Sequence, residues 1–371
     1  MSIDVLGLTK ELIAIPSVSQ KSNVTIADFL QTTLQQGGFE VERLEYADEN
    51  NERKVSLVGK KGEGKGGLGF FSHSDTVPGQ EWDWDPFTPE VKDGRLLGRG
   101  SCDMKGPLAA TMIAGAAVDA AQLQRPLFIA VTADEEVGYG GAFQIASESQ
   151  LLQAGWPQHV VVAEPTELEP VYAHKGGCHI QVTAHGRAAH TSTDRGISAN
   201  FLIAPFLADM AGLVDVFRTD ERFMNHEFDP PTNGFNMIIN DGGCRPNVTA
   251  AKTICTMSLR RMPDDHIDEA VAMIEEQAKK YDLEITSREM GPFYTPKDAT
   301  VVQATLAATG IAQAKSVPFG TEAVVYQPHA EAVVLGPGNI AQAHTVGEWI
   351  DIEQLQSAVD VYGRLIHDLC M

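Results

Sequence analysis

Cysteine is scarce in this chain. Five occur in 371 residues, at positions 102, 178, 244, 255 and 370; the odd number and the absence of Cys-x-x-Cys spacing exclude both a complete disulfide framework and a thiolate zinc site. Basic residues are also short: 28 Lys plus Arg against 50 Asp plus Glu leave a formal charge of −22. Such a surface repels phosphate backbones and anionic membranes, so neither nucleic acid nor a membrane is an expected partner. No apolar run reaches the roughly eighteen residues of a membrane span. The segment from Met1 to Ile13 lacks the basic start and apolar core of a signal peptide, so a cytoplasmic location is expected. Neither a GxSxG elbow nor an HExxH helix is present, which disfavours a serine hydrolase and a zincin. What remains is ordinary for a folded protein, with 43% hydrophobic and 21% charged residues, in a chain long enough for two domains.

Periodicity predicts helices over 3–15 and 23–37, then strands over 39–46, 54–58 and 68–72. The turn at 62–67 matches GxGxxG by letter, but a strand follows it, so it reads as a hairpin tip joining the strands at 54–58 and 68–72. After a loop at 77–100 come a helix over 107–121, a buried strand over 127–132, a helix over 140–150 and a strand over 159–163. This alternation predicts an α/β sheet with helices on both faces. From Lys175 the pattern changes to βαββαβ: strand 178–184, helix 198–217, strands 235–240 and 253–260, helix 267–281, strand 283–288. The order describes a compact α+β unit inserted into the first domain, which resumes with helix 299–309, the short run 332–335 and helix 352–369. The boundaries fall at 1–175 and 291–371 for the outer domain and at 176–290 for the insertion.

The stretch Gly98-Arg99-Gly100-Ser101-Cys102-Asp103-Met104-Lys105-Gly106 sets Asp103 in a glycine-punctuated loop before an Ala-rich helix. A carboxylate there can be a helix N-cap or a metal ligand. Its company favours the second. His73 and Asp75 end one apolar run, Glu135-Glu136 follow another, and Glu164 and His344 each end one more, which describes a site assembled at one sheet edge. In His73-Ser74-Asp75 the two side chains share one face of an extended segment, so Asp75 can accept the other ring N–H of His73. Consecutive carboxylates at 134–136 beside a buried strand repel one another unless a cation compensates. Neighbours on extended backbone point opposite ways, so one glutamate can bind metal while the other works as general base. His73, Asp103 and Glu164 can surround one metal and Asp103, Glu136 and His344 a second. Imidazole and carboxylate without thiolate suit a pair of zinc ions or a similar cation, cobalt among them.

These motifs, in order and spread over nearly the whole chain, resemble the two-metal metallopeptidase and deacylase family that includes acetylornithine deacetylases, succinyl-diaminopimelate desuccinylases, aminoacylases and glutamate carboxypeptidases. The resemblance implies a mixed-sheet zinc-peptidase catalytic domain with an inserted ferredoxin-like βαββαβ domain for dimerisation. It also implies amide hydrolysis, with His73 and Glu164 on the first metal, Asp103 bridging, Glu136 and His344 on the second, Glu135 as general base and Asp75 orienting His73. In the insertion, His190 would stabilise the oxyanion at a partner subunit's site. Arg260 would grip the substrate carboxylate, with Arg261 the competing choice, and Asn247 would be a polar substrate contact. The likeness is greatest to the acetylornithine deacetylases, through residues 98–106, 164–166 with 173–176, and 335–338 leading to 342–344. The segments 345–349 and 188–192 depart from that form. The expected substrate is an N-acyl amino acid and the expected assembly a homodimer, with a desuccinylase, a dipeptidase or a non-catalytic homologue as rivals.

Overall fold

The computed structural model describes residues 4–263 and 266–371; Ile3, the first residue of the expected opening helix, lies outside them. The chain divides into two compact units. One comprises Met1–Tyr172, Thr295–Lys315 and Thr321–Met371, the other Ala173–Tyr294 and Ser316–Gly320.

In chain order, the first unit opens with α1 (Val5–Ile13), α2 (Val24–Gln36), β1 (Glu40–Ala47), β2 (Arg53–Lys61) and β3 (Leu68–His73). A small hairpin, β4 (Glu90–Lys92) and β5 (Arg95–Leu97), breaks the expected loop before α3 (Lys105–Ala116). Then come β6 (Leu127–Thr132), α4 (Gly140–Glu148), α5 (Gln150–Ala154), β7 (His159–Val162) and β8 (Val171–His174). The second unit follows with β9 (Gly177–His185), α6 (Ala199–Thr219), β10 (Asn236–Asn240), β11 (Lys252–Leu259), α7 (Ile267–Lys280), β12 (Glu284–Met290) and β13 (Phe293–Tyr294). The chain closes with α8 (Thr300–Thr309), β14 (Lys315–Val317), α9 (Ala323–Tyr326), β15 (Glu331–Val334), β16 (Trp349–Asp351) and α10 (Ile352–Cys370).

Among the described residues the main sheet of the first unit runs β1-β2-β6-β3-β7-β15-β8. Strands β6, β3, β7 and β15 are parallel neighbours, while β1, β2 and β8 join antiparallel. The sheet is therefore mixed, as the α/β reading with its mixed-sheet form requires. Every residue of β3 and β6 is buried, which explains why both are apolar almost to their C-terminal ends. Parallel pairing aligns His73 with Thr132 and Phe71 with Val162. The residues following β3, β6 and β7 thus emerge at one edge.

The hairpin expected between 54–58 and 68–72 does not form: β6 lies between β2 and β3. Four glycines at positive φ, Gly62, Gly64, Gly66 and Gly67, carry the link across the start of β6. At Gly67 a Cβ would fall 2.0 Å from the Pro126 carbonyl oxygen, so only glycine fits. Letter spacing could not distinguish this crossing from a tight turn, because both need the same residue types.

In the second unit an antiparallel sheet runs β10-β11-β9-β12, the strand order of a ferredoxin-like βαββαβ fold. Strand β11 alternates buried and open positions, and α7 buries Ile267, Ala270, Val271, Ile274 and Ala278 at helical spacing. These residues share a core with Ile203, Phe206, Met210 and Phe217 of α6. By length and composition α6 is apolar enough to cross a membrane, although no unbroken apolar run gave it away. It packs on its own sheet instead, and its Asp209 accepts from Tyr281 Oη at 2.8 Å.

Candidate active site

Parallel strand ends deliver the site. His73 is the last residue of β3, Glu135 and Glu136 occupy a short 3-10 turn after β6, and Glu164 follows β7 by two residues. Two donor sets result, His73 with Asp103 and Glu164, and Asp103 with Glu136 and His344, each with ligand atoms within 4.8 Å of one another. Asp103 belongs to both. Its Oδ1 lies 3.1 Å from His73 Nε2 and its Oδ2 3.3 Å from His344 Nε2, so one oxygen addresses each set. Glu164 Oε1 stands 3.5 Å from His73 Nε2 and Glu136 Oε2 2.9 Å from His344 Nε2.

Asp103 does not cap α3, whose N-cap is Met104 without a side-chain hydrogen bond. Its loop is instead held by Glu348, a residue that no motif in the sequence marks. One Glu348 oxygen accepts from Cys102 N at 2.8 Å and Asp103 N at 2.9 Å, the other from Gly100 N at 3.0 Å and Arg99 Nη1 at 2.7 Å. This buried carboxylate fills the concave face of the loop and fixes the Asp103 backbone. Cys102 is buried and points its Sγ at the Asn339 carbonyl, 3.4 Å away; it is packing rather than ligand.

Asp75 does more than orient His73. The His73 Nδ1 lies 3.0 Å from the Asp75 backbone carbonyl and 3.5 Å from its carboxylate, so the carbonyl is the nearer acceptor. The carboxylate accepts from Glu135 N at 3.2 Å, Glu136 N at 3.3 Å and Ser19 Oγ at 2.7 Å. It therefore anchors the very turn that carries the two glutamates.

The electrostatics of this edge are short of positive charge. Burial pushes the Glu135 carboxyl well above its ordinary range, and the nearby acids Glu164, Glu136 and Glu322 add to it against the opposing charge of His73. Burial, followed by Asp103, raises Glu164 to about 7. Hydrogen bonds to Asp103 and Glu136 lift His344 to about 10. Asp103 goes the other way: burial would raise it, but the His344 and His73 hydrogen bonds pull it far down. Acids and imidazoles drawn together toward their protonated forms mark a place where cations belong. One Glu136 oxygen, Oε1, is buried with no hydrogen-bond partner among the described residues, which a metal ion would supply. The donor set of oxygen and imidazole nitrogen, with one carboxylate between two clusters, fits a pair of divalent ions.

His190, Asn247 and Arg260 lie in the second unit. His190 and Val248 form a bridge between two extended segments, and Thr191 N donates to the Asn247 carbonyl at 3.1 Å. Ser192 N donates to His190 Nδ1 at 3.2 Å, which leaves the ring proton of the neutral imidazole on Nε2. Arg260 follows β11, exposed, and its guanidinium makes no hydrogen bond or ion pair among the described residues. Arg261 is engaged instead, with Asp268 Oδ1 at 2.6 Å and with Glu289.

A parallel-edge site with two carboxylate and imidazole clusters and a glutamate on the adjoining turn defines a metal-dependent hydrolase. The chain belongs to peptidase family M20/M25/M40, whose description matches residues 69–368. It is 35% identical over 377 aligned residues to acetylornithine deacetylase of Myxococcus xanthus, covering 97% of this chain and 96% of that one. It is 31% identical to acetylornithine deacetylase of Proteus mirabilis, covering 99% and 97%. In structure it resembles an M20 family metallo-carboxypeptidase from Sulfolobus solfataricus, with TM-score 0.78, 17% identity and 98% of both chains covered. It also resembles a dinuclear metal binding peptidase of the same family from Bacillus subtilis, with TM-score 0.66, 15% identity, and 98% and 97% covered. The protein is a metal-dependent amidohydrolase.

Proposed function

We propose that this enzyme hydrolyses the amide of an N-acyl amino acid, N-acetylornithine foremost, giving ornithine and acetate as in arginine biosynthesis. The observation that carries the substrate is the likeness, over nearly the full length of both chains, to acetylornithine deacetylases. Two divalent ions, zinc or cobalt, held by His73, Asp103 and Glu164 and by Asp103, Glu136 and His344, would supply Lewis-acid polarisation of the amide carbonyl and acidify water. Glu135, held by Asp75 through its backbone N–H, takes the proton of the attacking water and returns it to the leaving amine nitrogen. His190, with its proton on Nε2, serves the active site of a partner subunit, where it donates to the developing oxyanion. Arg260, unengaged within its unit, receives the substrate carboxylate, and Asn247 adds a polar contact.

The inserted βαββαβ unit serves as the dimerisation and lid domain in this reading. Its α6 turns Phe201 outward at 83% exposure, and the edge strand β10 exposes Ile238 and Ile239 at 62% and 54%. An apolar helix face beside an open strand edge suits a second copy of the chain. Five free cysteines suit a reducing cytoplasm.

The test is a hydrolysis panel on zinc- or cobalt-loaded protein with N-acetylornithine, other N-acetyl amino acids, N-succinyl-diaminopimelate and dipeptides. N-Acetylornithine should give the highest kcat/KM, and a preference for dipeptides would sink the deacetylase reading. Glu135→Gln should keep both metals and lose at least ~10²-fold in kcat.

A further inference from the structure

The first unit also buries a lysine that the chemistry above leaves unused. Lys54, the second residue of β2, is 1% exposed. Its Nζ meets Asp134 Oδ1 at 2.7 Å and donates to the carbonyls of Lys21, at 3.0 Å, and Ser19. Asp134 is itself buried, sits at φ +61, and opens the turn that carries Glu135 and Glu136. Its other oxygen accepts from Tyr46 Oη at 2.6 Å, and its carbonyl accepts from Tyr139 N at 2.9 Å. On the second side, Ser19 aims its hydroxyl at Asp75 Oδ2, 2.7 Å away, and Asp75 is the acceptor for Glu135 N and Glu136 N. A single ammonium thus grips the turn twice: directly through Asp134, and through the Ser19 backbone that steers Asp75.

A buried ion pair is a poor way to gain stability, since removing the charges from water costs about as much as their attraction returns. An apolar residue at position 54 would suit β2, whose neighbours from Val55 to Gly59 are all buried. Left-handed backbone at a residue other than glycine needs support from its surroundings. Lys54 and Tyr46 supply that support to Asp134, at the step directly before the two functional glutamates.

We propose that Lys54 is a positioning residue of the hydrolytic site, holding the Asp134–Glu136 turn so that Glu135 faces the reacting water and Glu136 faces His344. The inference rests on Glu135 being the general base, and its metal arm stands apart from that assignment.

The experiment compares the wild type with Lys54→Met/Asp134→Asn, which removes both buried charges together, with Tyr46→Phe, and with Glu135→Gln. Outer partners of metal ligands are worth roughly 10–100-fold in metal affinity or activity. The double variant should therefore lose about ten- to a hundredfold in kcat, with KM within about twofold and an unchanged urea midpoint. In calorimetric titration of chelator-stripped protein with zinc, one of the two equivalents should weaken by a similar factor and the other by far less. Tyr46→Phe, which removes one hydrogen bond from Asp134, should lose roughly three- to tenfold in kcat. Wild-type kcat and zinc affinity in a folded double variant would overturn the proposal. If that variant does not fold, wild-type values in Tyr46→Phe overturn it equally. Full activity in Glu135→Gln would instead refute the general base, while the zinc titration still decides whether Lys54 holds Glu136.

Discussion

Replacing Glu322 with glutamine should make the metal-free protein more stable at alkaline pH. Glu322 is 1% exposed. Thr132 Oγ1 lies 2.7 and 2.9 Å from its two oxygens, and Tyr326 Oη donates to Oε2 at 2.9 Å. Thr132 Oγ1 also reaches the Ser72 carbonyl at 3.3 Å. A protonated carboxyl satisfies every group: the acid donates to Thr132, Thr132 donates to Ser72, and Tyr326 donates to the remaining oxygen. Burial pushes Glu322 from the ordinary 4.5 to about 7. Between those values the folded chain keeps a proton that the unfolded chain releases, so the contribution to stability falls as pH rises through that window. At 1.36 kcal/mol per pKa unit the loss by pH 8 is about 3 kcal/mol. Glutamine reproduces the protonated pattern without the charge. Urea unfolding of chelator-treated protein should show Glu322→Gln ahead by about 3 kcal/mol at pH 8 and by under about 1 kcal/mol at pH 5. An equal offset at both pH values, or a variant weaker than wild type at pH 8, would refute the reasoning.

Glu348→Gln should behave oppositely, because the amide has one acceptor oxygen for four donors and must turn its NH₂ toward two of them. With Arg99 or the loop left unpaired, a loss of about 3–5 kcal/mol is expected by calorimetry, and a loss under about 1 kcal/mol would mean the loop holds itself. Chelation should abolish hydrolysis and lower the unfolding temperature. Ions held at a thousand times their dissociation constant contribute about 4 kcal/mol, and a chelator-independent melting curve would speak against a metal centre.

The strands that lead to the candidate metal ligands are legible because fully buried parallel strands are apolar almost to their ends, so a histidine or acid there stands out. His73, Glu136 and Glu164 stand out that way, Asp103 by its glycine-punctuated loop and His344 at the end of a separate apolar run, and the structure brings their donor atoms within 4.8 Å of one another in two sets. The groups that brace them are not. Glu348 lies 245 residues from the Asp103 N–H it accepts, and Glu322 lies 190 residues from Thr132; nothing in local spacing announces such pairs. Lys54 does leave a signal, a charge directly before the run from Val55 to Val58, but a lysine on an edge strand looks the same in sequence. The crossing of β6 between β2 and β3 was hidden for a related reason: strand order depends on which apolar strands find each other, and the connecting glycines permit either outcome.

The fold alone does not select a substrate, since architecture of this kind is shared with a metallo-carboxypeptidase at 17% identity. Selection has to fall to side chains free to meet a ligand, and here the adjacent arginines separate. Arg261 spends its guanidinium on Asp268 and Glu289, partly exposed pairs worth ~0–1 kcal/mol each in stability. Arg260 has no such engagement among the described residues, and its backbone is fixed by a 2.6 Å hydrogen bond from its N–H to the Asn233 carbonyl. If Arg260 receives the substrate carboxylate, the lost hydrogen bonds to charge are worth about 1.5–3 kcal/mol. Arg260→Ala should then raise KM roughly 10- to 150-fold at little change in kcat, and Arg260→Lys should recover only part of it, since an ammonium lacks the planar fork. Arg261→Ala should leave KM within about twofold of wild type. A larger KM effect from Arg261 than from Arg260 would reverse the assignment, and would mean that the ion pairs to Asp268 and Glu289 break when substrate arrives.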